Sequence, residues 1–325
     1  MAPVSVTHVD AGPSNQARRL AHSNTTLSPT TVLSIAPTGS SQAANPAPTP
    51  PGSLAEEYRR SARLKPLLDR LKSGASTSAD GKLALYLVLR ECAKVQGGGE
   101  DRPAFPDVTK LSMSISDDNP DKQQRLQTAR ELKARCEGLD DVATSSAQLR
   151  SLLNDSAAGG NQEARVRALA HQLVEQAQPG ELPQLSDAHL QVLREAISSR
   201  DPGAILSAGI FLSNTFADLI VEDNATHDPI QPTAAVSAWR LISCEYGADC
   251  GASNTWLQLQ CAADGECAAS NVQDAIFYYE VSPYQAQLIE RYRNIFDSAV
   301  NGDWSEITLA RRPGGPGSRY HFGIP

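Results

Sequence analysis

Four cysteines, Cys244, Cys250, Cys261 and Cys267, fall within 24 residues at the spacing C-x5-C-x10-C-x5-C. Cys244 and Cys261 each lie late in a segment with helical pattern. Cys250 and Cys267 lie in the Gly-containing stretches that follow. A disulfide needs Cα atoms roughly 4.4–6.8 Å apart, which a helix end and the loop folding back from it satisfy. Three pairings are open to four cysteines. The spacing favours Cys244–Cys250 and Cys261–Cys267. Pairing Cys250 with Cys261 is least attractive, because a helix of about seven to nine residues between them spans roughly 10–14 Å. Each small loop would contribute roughly 2 kcal/mol through closure entropy.

The competing chemistry is a zinc site built from the same four thiolates. Structural zinc sites pair cysteines two to four residues apart. Five intervening residues miss that pattern at both knuckles, so zinc at Cys244, Cys250, Cys261 and Cys267 is the minority reading. No C-x-x-C redox motif occurs. Cys92 and Cys136 sit near the ends of two other predicted helices. They are read as a third disulfide across the 97–120 segment, with two buried free thiols as the alternative.

The rest of the chain reads as packed helices. Leu64, Leu67, Leu68 and Leu71 recur at i, i+3, i+4, i+7, with Pro66 marking a break or helix start. Asp80 is expected to cap a helix to about Val95, which Gly97-Gly98-Gly99 ends. Residues 100–120 hold three prolines and no period, and read as a long loop. Further helices are expected near 121–137, 144–154, 161–177, 186–199, 233–246, 253–263, 271–280 and 283–300. Asp201-Pro202 is expected to open an apolar helix running to Val221. No run of period-2 alternation competes with this pattern. Aromatics are only 5% of the chain, which suits helices better than sheets. The expected fold is all-α, roughly ten helices in irregular hairpins, with a stapled C-terminal part.

Four regions follow. Residues 1–53 form a disordered leader or tether rich in Ala, Pro, Ser and Thr, with Asp10 as its single acid. Residues 54–228 are a helical region. Residues 229–309 are a Cys-rich helical region packed on it, after a soft boundary near 228–232. Residues 310–325 are a flexible Pro/Gly tail carrying Arg311, Arg312 and Arg319.

Composition excludes more than it assigns. A net charge of -8 argues against a general nucleic-acid binder. The apolar stretch Ala204–Val221 has the length of a membrane span. Ser207, Ser213, Asn214, Thr215 and Asp218 inside it favour a buried helix instead. No phosphate loop, nucleophile elbow or H-E-x-x-H occurs, so no catalytic residue and no cofactor is assigned. Glu266, Asp249, Asp264 and Glu280 lie in or near the Cys-rich loops, but chance carboxylate pairs are expected among 37 acids. Asp249 and Asp264 are read as turn-shaping. Tyr278, Tyr279, Tyr284, Tyr292 and Trp304 concentrate aromatics near the end. In a chain so poor in aromatics they are expected to anchor the core, with a binding surface as the alternative.

The block AWRLISC…GADCG…C…GEC, followed by Ser282-Pro283-Tyr284-Gln285 through Gly302-Asp303-Trp304, resembles the C-terminus of uncharacterised helical envelope or secreted proteins of proteobacteria. The Cys92/Cys136 pair resembles an upstream feature of the same proteins. The resemblance implies a periplasmic or secreted location and an architecture, with no activity attached. The expected function is a non-enzymatic, disulfide-stabilised interaction protein with an unknown protein or envelope partner. Residues 1–30 show no charged stretch leading into a long apolar one. That leaves two alternatives open: an injected bacterial effector with a disordered N-terminal export signal, and a cell-wall-directed hydrolase.

Overall fold

The computed structural model describes residues 53–95, 108–139, 145–176, 185–213, 219–226 and 228–311. The expected leader, apart from Ser53, and tail residues 312–325 lie outside them. The fold is all-α, with thirteen α-helices and one small sheet among the described residues.

Capping side chains set many of the helix starts. The Ser53 hydroxyl accepts the Glu56 N–H at α1, Leu54–Arg60. Pro66 lies in the first turn of α2, Lys65–Lys72, where its missing N–H costs nothing. The chain therefore breaks between the two helices, as Pro66 suggested. A 3₁₀ turn, Ala75–Thr77, leads into α3, Ala79–Val95. Asp80 was expected to cap α3. It lies inside the helix instead and accepts the Leu54 N–H at the start of α1, while Ser78 Oγ accepts the Gly81 N–H.

Helix α4, Val108–Ser114, occupies part of the stretch expected to be loop. It is short, buries Leu111, and lies between the prolines at 106 and 120, so no period of useful length develops. Helix α5, Lys122–Arg135, ends at Cys136. Then come α6, Ser146–Ala158; α7, Gln162–Gln176; and α8, Asp187–Ser198, which begins with a capping box between Ser186 and His189.

Helix α9, Pro202–Ser213, corrects the expected helix to Val221. Leu219–Asp223 form strand β1, which pairs antiparallel with β2, Asp228–Pro229, and with β3, Ile307–Arg311. The register sets Leu219 opposite Arg311 and Asp223 opposite Ile307. Residues 310 and 311, expected in a flexible tail, thus belong to a strand. The buried Asp223 carboxylate lies 2.6 Å from Arg291 on α13, Pro283–Val300, and ties the sheet to that helix.

One continuous core runs from Val166 to Ile307, crossing residues 228–232 without a gap in packing. Its centre is α9 against α10, Pro232–Glu245. Trp239 stacks on Phe296 of α13 with ring centroids 4.1 Å apart. Two smaller clusters lie under α1 to α3 and α6. A fourth joins α4 and α5 to Leu259 and Ala262 of α11, Thr255–Asp264.

Cys92 of α3 and Cys136 at the end of α5 form a disulfide with Cα atoms 5.4 Å apart. Spanning 44 residues, it constrains the unfolded chain by about 4 kcal/mol in the chain-entropy picture. The buried Arg135 guanidinium sits beside it. It donates to the Tyr58 carbonyl at 2.6 Å and to the Ser61 carbonyl. Its Nε lies 2.8 Å from Glu91 but off the hydrogen-bonding direction, so that contact is ionic. Tyr58 donates its hydroxyl to Glu91. Burial, and then Glu91, push the Tyr58 phenol well above its usual range.

Candidate functional site

The Cys-rich end is assembled from three helix ends and two staples. Cys244, in the last turn of α10, bonds to Cys250, with Cα atoms 5.7 Å apart. The turn that leads from this loop into α11 is shaped by Asp249, whose carboxylate accepts from Gly251 N–H and Ser253 Oγ. Asn254 caps α11 by accepting the Leu257 N–H. Gly265 then ends α11 in the left-handed region at φ 86°, where a side chain would be strained. Cys261 bonds to Cys267 across this turn, Cα atoms 4.3 Å apart. All four sulfurs are thus joined as disulfides, in the pairing the spacing favours.

The second loop is gripped from α5. Gln124 donates to the Cys267 carbonyl at 3.0 Å, and Arg125 donates to the carbonyls of Ala262 and Ala263. The first loop is tied forward, because the Cys250 carbonyl accepts the Val272 N–H at 2.9 Å. Asn271 caps α12, Val272–Ala275, which continues as a π-helical turn over Ile276–Glu280. Such wide turns are frequent at functional sites. Ser282 and Gln285 then form the capping box of α13.

Ile276 stays in the core, but Tyr278 is 80% exposed and Tyr279 is 44% exposed. Tyr284, in the first turn of α13, is 65% exposed. The expected core role therefore fails for these three. It holds for Tyr292, which is buried and accepts the Gln231 N–H. Trp304 packs at the edge of the core under the Arg194 guanidinium. Tyr292 lies in the core shared with α10 and reaches that helix's N-cap residue, whereas Tyr278 and Tyr279 stand exposed on the π turn.

Polar groups gather around Glu280, which follows Tyr278 and Tyr279 in the π turn. Glu280 accepts from Gln260 Nε2 at 3.2 Å. Arg240 lies over the Trp256 ring, 3.9 Å from its centroid. Glu266 has a buried Oε2 without a hydrogen-bond partner. Burial raises the Glu280 carboxyl above its usual range, Arg240 partly offsets this, and Asp264 adds to it. Glu266 is raised by burial, then by Glu280 and Asp264. Arg240 is pulled down to about 10 by burial, against the pull of Glu280. Three of the four carboxylates singled out in the sequence, Glu266, Asp264 and Glu280, are therefore brought together, whereas Asp249 is spent on its turn. Arg240, Trp256 and Gln260 were not singled out. Arg240 and Trp256 each lie about one turn ahead of a clustered cysteine, the only local hint.

Among the described residues, no group of three or more His, Cys, Asp or Glu is placed to hold a metal ion. No helix among them is long and apolar enough to cross a membrane. Compared with known families, curated proteins and solved structures, the chain shows no match to a family model, to a curated protein or to a solved structure.

Proposed function

We propose that this protein is an interaction module of the bacterial envelope or exterior, with the tyrosine edge at its Cys-rich end as the binding face. The observation that carries the reading is the exposure of Tyr278, Tyr279 and Tyr284 on a backbone braced by two disulfides and two capped helices. Tyrosines supply large contact area at low entropic cost, and a rigid mount lowers the ordering penalty of binding. A periplasmic or secreted location supports the same reading, since three disulfides persist where thiols are oxidised.

Two measurements test it. Protein from its native compartment, alkylated without reduction, should carry no label on any of the six cysteines. Four or more labelled thiols would sink the envelope reading and favour an effector folded in a reducing cytosol. Separately, p-benzoylphenylalanine in place of Tyr278 should give a discrete crosslinked partner in native cells. The same group in place of Met113, exposed on α4, should not. Equal adducts from both positions, or none from Tyr278, would remove the tyrosine edge as the binding face.

A further inference from the structure

We infer that Arg240, Trp256, Gln260 and Glu280 form a receptor for an α-amino-acid zwitterion, the guanidinium taking the ligand's carboxylate and Glu280 its ammonium. The site uses none of Tyr278, Tyr279 or Tyr284, so it stands or falls apart from the binding face above. Trp256 and Gln260 lie four positions apart on α11, which puts them on one face of that helix with Cβ atoms roughly 5–6 Å apart. Arg240, from α10, lies over the Trp256 ring. Glu280, at the end of the π turn, accepts from Gln260 Nε2. A cation and an anion from two other elements are therefore seated on neighbouring residues of one face of α11.

The two charges attract one another, yet they do not pair. Among the described residues Arg240 donates no hydrogen bond and enters no ion pair, although a guanidinium carries five N–H donors. Burial works against its charge, and no hydrogen bond offsets the water it loses. At about 10 it is still cationic at neutral pH. Glu280 has a neutral amide as its hydrogen-bond donor. The Arg240 nitrogens and Glu280 Oε2 lack partners but reach solvent, in contrast to the sealed Glu266 Oε2. A ligand can therefore meet both charges. A carboxylate arriving in the guanidinium plane gains two parallel charge-assisted bonds while the cation stays over the ring. By itself that carboxylate would stand against Glu280, and Asp264 adds to the negative field there. An ammonium on the adjacent carbon answers Glu280 and cancels the repulsion. A phosphate dianion would meet that repulsion in full. A simple amine would leave Arg240 without a partner.

The test uses the full chain labelled with ¹⁵N, disulfides intact, and glycine as the zwitterion. N-acetylglycine lacks the ammonium, and glycinamide lacks the carboxylate. Glycine should shift the Arg240 side-chain and Trp256 indole N–H signals saturably. Each single-charge relative should bind at least about tenfold more weakly. Arg240→Gln and Glu280→Gln should each weaken glycine by at least about tenfold, followed at the Trp256 signal. Glu280→Gln keeps an oxygen for Gln260, so its melting temperature should equal the parent's even if Arg240→Gln loosens the fold. The inference is overturned by the absence of a saturable shift with glycine, by equal binding of N-acetylglycine or glycinamide, or by unchanged glycine binding in Glu280→Gln.

Discussion

Gly209→Ala is expected to destabilise the protein by about 3 kcal/mol, although alanine is the better helix former by about 1 kcal/mol. Gly209 lies in α9 where that helix meets α10. A Cβ there would stand 2.2 Å from Trp239 Cγ and 2.4 Å from Cδ2, far inside contact distance. The indole cannot swing aside. It is 1% exposed, and Phe296 stacks on it with the rings 5° from parallel. Its Nε1 makes no hydrogen bond, so packing alone sets the position of the ring. The helices must therefore separate, loosening the largest core cluster of the protein. Thermal denaturation should show a fall of roughly 6–12 °C, at about 2–4 °C per kcal/mol for a chain of this size. Trp239→Leu in the same background should recover part of the loss, because a smaller side chain leaves room for the methyl. A Gly209→Ala variant as stable as the parent would mean that α9 and α10 do not approach so closely.

What the sequence made legible was local. The 3.6-residue period gave the helices, and Ser186 and Ser282 marked helix starts because a cap and its partner lie three residues apart. Cys244–Cys250 and Cys261–Cys267 were readable for the same reason: each pair lies only six positions apart and closes a single turn. What failed was non-local or ambiguous. The apolar run 204–221 reports burial, and burial is shared by the end of α9 and by Val221 of β1, so composition could not mark where helix gives way to strand. The pairing of β1 with β3 depends on backbone hydrogen bonds between segments more than 80 residues apart, which leave no local pattern. At the site, the tyrosines and carboxylates were visible as residue types. Their division into a buried Tyr292 and an exposed Tyr278, and the approach of Arg240 to Trp256, arise from how α10, α11 and the π turn pack.

Glu163→Gln should cost roughly 3–5 kcal/mol at neutral pH, the loss expected when one partner leaves a buried ion pair. The Glu163 carboxylate is 3% exposed on α7. It is held by Arg59 of α1 and by Arg167, one turn along α7, whose Nη2 lies 2.9 Å away. Gly203 of α9 makes the approach possible, since a Cβ there would fall 2.1 Å from both Arg59 Nη2 and Glu163 Oε2. The pair thus locks α1 and α7 against the first turn of α9, where the positive end of the helix also favours the anion. Burial pushes the Glu163 carboxyl up, but Arg59 and Arg167 outweigh it and hold it below the usual range. A depressed folded pKa means that its stabilisation is present above the ordinary value of about 4.3 and is lost as pH falls through the folded value. Asp201 runs the other way. Burial and then Glu163 raise it, so its ionisation costs stability as pH climbs from about 3.9 through its folded value. Asp201→Asn keeps the cap on the Ala204 N–H and removes the like charge, so it should be neutral or mildly stabilising at pH 7. Urea denaturation across pH 2–7 checks both, over about the carboxylate range. Glu163→Gln should flatten the acid limb of the stability curve and Asp201→Asn should not. Equal stability of the parent and Glu163→Gln at neutral pH would show that this ion pair does not hold α1 and α7 to α9.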